Sequence, residues 1–302
     1  MTDARDQRRW DTTRERSTPF MLKLLIRCAL LLGRTGVRPI VYATVAYFVL
    51  TSSAAKQASR NFLRRALDRE PKFFDVWRHF LAFASCSVDR IFFLTGRHHA
   101  FDVAVHRPDN VLAISNRGQG CLLVLAHFGS FEALRLAGDR RSLPITILLD
   151  RQIGAMLTSL FEKLNPDFAG HVIDAAKRGP ELVLALKEAV ERKRMIGIMG
   201  DRTRVDDRSV GVNFMGGVAQ LPVGPWILAS ALRVPVILGF GVYRGGRRYD
   251  LHLELFAERI ELPRHSRDDA LRACAQQYAD RLEQYARLAP YNWFNFYDFW
   301  QR

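Results

Sequence analysis

From about residue 111 onward the chain alternates short apolar runs with stretches long enough to form a helix, and this alternation constrains the fold more than any other feature. Cys121–Ala126 (CLLVLA), Pro144–Leu149 (PITILL), Met195–Met199 (MIGIM), Pro235–Val242 and Asp250–Leu255 read as strands, with a short one at His171–Ile173. Helices are predicted to start at FEALRLAG and to cover Ile153–Leu164, Pro180–Lys193 and Trp226–Leu232. Pro180–Lys193 is the clearest of them, because Pro follows Gly179, apolar residues recur at helical spacing and the last turn is basic. Apolar strands joined by helix-length crossovers imply an α/β fold whose central sheet is mainly parallel and flanked by helices.

Sites in such sheets form beyond the carboxyl ends of the strands. Three junctions fit, each an apolar run followed at once by ionisable residues: Ala126-His127, Leu149-Asp150-Arg151 and Met199-Gly200-Asp201. At the first, Glu132 follows His127 by five residues, which on one continuous helix would turn the two side chains apart. With His127 on the strand exit and Glu132 in the first helical turn, Gly129 lets the chain fold them together. A carboxylate then holds one ring nitrogen and leaves the other as a base. An isolated H-x4-E of this kind is more often a capping histidine beside a first-turn acid. The chain has no GxSxG elbow and no cysteine with an obvious histidine partner, so a covalent acyl-enzyme lacks support. The alternative is a histidine that deprotonates a substrate hydroxyl for direct attack.

The charge is distributed unevenly. Of the formal +14, residues 1–72 hold 15 Lys and Arg against 6 Asp and Glu. The same stretch contains the apolar run MLKLLIRCALLLG, broken by Lys23 and Arg27, and the 17 uncharged residues Pro39–Ala55. A spanning helix needs roughly 20 mostly apolar residues, so Pro39–Ala55 is a marginal candidate. Basic, apolar segments also lie in the interface against anionic headgroups. The chain therefore divides into a disordered basic tail (1–19), a membrane-associating helical segment (20–72) that serves as an apolar N-terminal anchor, and an α/β domain (73–302). Nucleic acid is disfavoured as the partner of this charge: Arg8-Arg9, Arg64-Arg65 and Arg247-Arg248 are scattered pairs without a recognition motif. The four cysteines lie far apart, without CxxC spacing, and read as free thiols. His98-His99 have no Cys or carboxylate at metal spacing and HExxH is absent, so no metal or resident cofactor is expected.

LLVLAHFGSFEALR resembles the H-x4-D/E block of the lysophospholipid acyltransferase superfamily. Its glutamate form, with MGDRTRVDDRSVGVNFMGGVAQLPVGPWILASALRVPVILGF downstream, resembles the branch of lipid A biosynthesis late acyltransferases over roughly residues 20–300. The resemblance implies a membrane-associated enzyme of the cytoplasmic face of the bacterial inner membrane. It would move a fatty acyl chain from an acyl carrier protein or coenzyme A thioester to a hydroxyl of a lipid or lipid-linked acceptor. His127 would be the base, Glu132 its orienting acid, and Arg151, Asp201, Arg202 and Arg204 substrate-binding residues. Gly200-Asp201-Arg202 stands where lipid A enzymes often carry an Asp-Gln-Asp-like run, and the end reads YNWFNFYDFW rather than a basic tail. Both departures are more similar to acyltransferases of pigment-lipid, aryl polyene-type pathways. The aromatic tail Tyr291–Trp300 suits either a core cap or a lipid interface, and the basic N-terminus tips the expectation toward the interface. A hydrolase using water with the same residues, and a carrier- or lipid-binding module without turnover, are the rival readings.

Overall fold

The computed structural model describes residues 19–139, 144–150, 162, 164–165, 170–177, 179–203 and 207–300. Among the described residues four helices come first: α1 (Pro19–Gly36), α2 (Arg38–Thr51), α3 (Ser53–Leu67) and α4 (Phe73–Leu94). Then follow β1 (Asp102–His106), α5 (Asp109–Asn116), β2 (Cys121–Gly129), α6 (Phe131–Asp139), β3 (Ile145–Leu149), β4 (Val172–Asp174), α7 (Pro180–Glu191) and β5 (Met195–Met199). A hairpin of β6 (Ser209–Phe214) and β7 (Gly217–Pro222) precedes α8 (Gly224–Leu232), β8 (Val236–Gly245), β9 (Arg248–Ala257) and α9 (Arg267–Leu288).

Seven strands form one sheet in the order β1-β9-β8-β2-β5-β3-β4, and every neighbouring pair is parallel except β8 with β9. The expected α/β architecture with a mostly parallel sheet flanked by helices is what the chain adopts. β2 lies at the centre, and Leu122, Leu123, Val124 and Leu125 are fully buried, as a strand covered on both faces requires. Gly211, Gly216 and Gly217 lie in the β6–β7 hairpin, a separate two-stranded sheet. Its tight turn places both Met215 and Gly216 at positive φ, the conformation that matches the twist of the flanking strands. The helix expected at Ile153–Leu164 falls almost wholly outside the described residues, as does the tail before Pro19.

The spanning expectation for Pro39–Ala55 is corrected. That run is divided between α2 and α3, which break at Ser52, and none of the described helices is long and apolar enough to cross a membrane. α2 buries only Val41, Val45 and Val49, one narrow stripe at four-residue spacing that packs with α4. Phe48 is partly buried against the core, and Tyr47 and Leu50 face outward. α1 is tied to the body by a buried ion pair, Arg34 Nε to Asp89 Oδ1 at 2.7 Å, and Tyr249 donates its hydroxyl to the other Asp89 oxygen at 2.7 Å. Removing one partner of such a pair costs about 3–5 kcal/mol, because the other charge stays buried alone.

Candidate active site

Strand register builds the site. β2 and β5 run parallel with Leu125 opposite Met199, so two residues further on His127 and Asp201 emerge side by side. His127 Nδ1 lies 2.8 Å from Asp201 Oδ1, and the His127 backbone N–H donates to Asp201 Oδ2 at 3.0 Å. A carboxylate only accepts, so the proton sits on Nδ1 and Nε2 keeps its lone pair. The carboxylate is sealed and the ring is not: Asp201 is 1% exposed and His127 31%. Burial pushes the imidazole below its ordinary value of 6.5, and the nearby charge of Arg202 pushes the same way against Asp201. Burial works against the Asp201 anion, but His127 and Arg202 outweigh it and hold the carboxyl down to about 2. At neutral pH the pair is therefore a neutral imidazole on an ionised carboxylate.

Glu132, expected beside the ring, lies elsewhere. β2 extends through Gly129, so the imidazole belongs to the strand while Glu132 is the second residue of α6 and points to α4. There its Oε1 sits 2.5 Å from Arg90 Nε, with the carboxylate buried and the guanidinium 37% exposed. No hydrogen bond joins Glu132 to His127; the ring's carboxylate partner is Asp201. The charge of Arg90 also acts to lower the His127 pKa, as the smallest of its causes. Arg202 donates to the Phe294 carbonyl at 2.8 Å and lies over the Tyr297 ring. Asp150 is buried at the end of β3. Arg151 and Arg204 lie outside the described residues.

The C-terminal aromatic segment completes the site, which corrects its assignment to a lipid interface. Trp293 is 1% exposed and donates its indole N–H to Asp201 Oδ2 at 3.0 Å. The segment adds itself to the end of β2: Phe294 N–H donates to the His127 carbonyl at 2.7 Å, and Gly129 N–H to the Asn292 carbonyl at 2.8 Å. Gly129 admits this close packing. Its φ is +59°, and a Cβ there would stand 1.7 Å from the Gly241 carbonyl oxygen. Nothing in local sequence marks Trp293 as a functional residue, because its partner lies 92 positions earlier. His79, buried between Ser59 Oγ and the Trp293 carbonyl at 2.8 Å each, holds the indole's backbone in turn.

Trp293→Phe keeps the ring and removes one charge-assisted hydrogen bond. It is expected to lower kcat about tenfold or more, with KM little changed, as read by steady-state kinetics on folded protein. Neither Cys86 nor Cys121 offers a thiolate in competition, since both are buried and burial raises their pKa, that of Cys121 to about 12.

A search of curated proteins finds no match. The family model of the bacterial lipid A biosynthesis acyltransferases, in contrast, matches residues 21–302, a span that contains the sheet, the His127–Asp201 pair and the aromatic segment that closes on it. The chain belongs to the bacterial lipid A biosynthesis acyltransferase family.

Proposed function

We propose that this acyltransferase moves a fatty acyl chain from an acyl carrier protein or coenzyme A thioester to a hydroxyl of a lipid or lipid-linked acceptor, with His127 as general base. The observation that carries this reading is the neutral imidazole whose Nδ1 is held by buried Asp201 while Nε2 has no hydrogen-bond partner among the described residues. Nε2 takes the acceptor's hydroxyl proton as its oxygen attacks the thioester carbonyl carbon. The tetrahedral intermediate then expels the thiolate, which recovers the proton from the imidazolium, giving an ester and the carrier thiol. Asp201 stabilises the transient imidazolium without accepting its proton. No metal or resident cofactor is needed, because a thiolate is already a good leaving group.

Arg90 and Arg202 place two cations around the ring, suited to a phosphate of the donor arm or of the acceptor headgroup. Arg151 and Arg204 keep the same role as an expectation from sequence. Glu132, in this scheme, positions Arg90 rather than the ring. An association with the cytoplasmic face of a bacterial inner membrane is supported by exposed Phe20 and Leu31 on α1, the helix that also carries exposed Lys23 and Arg27, and by exposed Leu50 on α2 and Phe74 on α4. Apolar side chains flanked by cations suit docking in the interface of an anionic bilayer.

The test is mass spectrometry of lipids from cells with and without the protein. The expected result is an acyl ester missing without it and restored by the wild type but not by His127→Ala. Free fatty acid accumulating in place of an ester would instead establish a hydrolase. The missing ester also separates a lipid A acceptor from a pigment-lipid, aryl polyene-type one.

A further inference from the structure

Among the described residues β1 is the edge strand of the sheet and is joined to it through β9 alone. Their parallel register sets His106 directly beside His252, and Asp250, two residues before His252, projects from the same face. The two imidazole rings stack with centroids 4.6 Å apart and planes 9° apart. His106 Nε2 stands 3.8 Å from Asp250 Oδ1. One donor atom from each of the three residues lies within 4.8 Å of the other two. The second Asp250 oxygen, Oδ2, accepts from Arg244 Nε at 2.6 Å, which fixes the carboxylate and leaves Oδ1 turned toward the histidines. His106 is 48% exposed, so the cluster is open to solution.

We infer that His106, Asp250 and His252 form a site for a divalent transition-metal ion of the zinc type. Two imidazole nitrogens and one carboxylate oxygen are the donors such borderline ions prefer, and three protein ligands leave a fourth tetrahedral position for water. A hard ion such as magnesium would want oxygen donors and is not suited to this set. Bond lengths near 2.0–2.2 Å bring tetrahedral donors to roughly 3.4 Å of one another, a closure that rotation of the two imidazoles supplies. Arg244 supplies the outer-sphere hydrogen bond that ligating carboxylates usually carry. Of the neighbouring groups, Tyr285 packs on His252 and bonds Glu254, which also binds Arg281. The ion would clip the edge strand β1 to β9. The inference is independent of the acyl-transfer reading, since none of the three residues belongs to the His127–Asp201 pair. The signal was invisible in sequence because 144 positions separate His106 from Asp250, two neighbours only across a strand boundary.

The experiment is a zinc chloride titration of the detergent-solubilised full chain, first stripped with a chelator. It is read by competition with a chromophoric chelator and by thermal unfolding with and without the ion. Wild type is expected to bind one equivalent and to unfold at higher temperature when loaded. His106→Ala and His252→Ala should each weaken binding at least about tenfold and lose the thermal shift, while unfolding like wild type without metal. His127→Ala should bind as wild type does. No stoichiometric binding by wild type, equal binding by the His106 and His252 variants, or a loss confined to His127→Ala would each overturn the site.

Discussion

Asp201→Asn is expected to lower kcat about 10³–10⁴-fold with little change in fold or KM, because it forces the imidazole into the wrong tautomer. The His127 backbone N–H and the Trp293 indole N–H both donate to Oδ2. An asparagine must therefore put its carbonyl oxygen there, since its amide nitrogen would face two donors. That leaves the NH2 group against His127 Nδ1, which then accepts, and the proton moves to Nε2, where the base is needed. Glu132→Gln should cost less, about ten- to a hundredfold, because it loosens Arg90 and leaves the ring's tautomer intact. Steady-state kinetics of both variants with an acyl thioester donor checks this order. A larger loss at Glu132 than at Asp201 would return the orienting role to Glu132.

His127→Ala removes the proposed base and should reduce transfer by at least about 10²–10⁴-fold. The pH profile identifies the group independently of how large that loss is. The ring works only when neutral, so kcat/KM rises with pH through the free-enzyme pKa and then levels. Burial, reinforced by Arg202, sets that pKa below the ordinary imidazole value of 6.5, so the wild type should be on its plateau at neutral pH. In Asp201→Asn the carboxylate that favoured the imidazolium is gone, so the limb should move to still lower pH while the plateau falls. In His127→Ala the limb should vanish. A wild-type limb centred above 6.5, or one that persists without His127, would remove the histidine from its role.

The parallel sheet was legible because CLLVLA, PITILL and MIGIM are almost wholly apolar and separated by helix-length crossovers, a local pattern that burial on both faces imposes. β1 was not, because DVAVH is a half-exposed edge strand with no continuous apolar run. The β6–β7 hairpin also escaped, since its turn uses Met215-Gly216 in place of an Asn-Gly or Asp-Gly signal. His127 and Asp201 were both readable as strand-end residues, but their pairing was not. It depends on which strand lies next to β2, and nothing within either segment specifies that. The proximity of Glu132 in sequence pointed to the wrong partner for the same reason: chain neighbours are visible in a sequence, whereas sheet neighbours are not.

The indole that steadies Asp201 has a consequence for how the enzyme comes into being. Trp293 leaves the ribosome 92 residues after Asp201, which at about 5–20 residues per second is a delay of roughly 5–20 seconds. Throughout that interval α1 to α4 and most of the sheet are available to fold. The carboxylate, however, lacks its second donor, and the end of β2 lacks the extended segment that bonds to it. The nascent chain thus acquires the complete His127–Asp201–Trp293 arrangement only after its first helices and most of the sheet have had time to fold, so the catalyst is finished by its last aromatic segment.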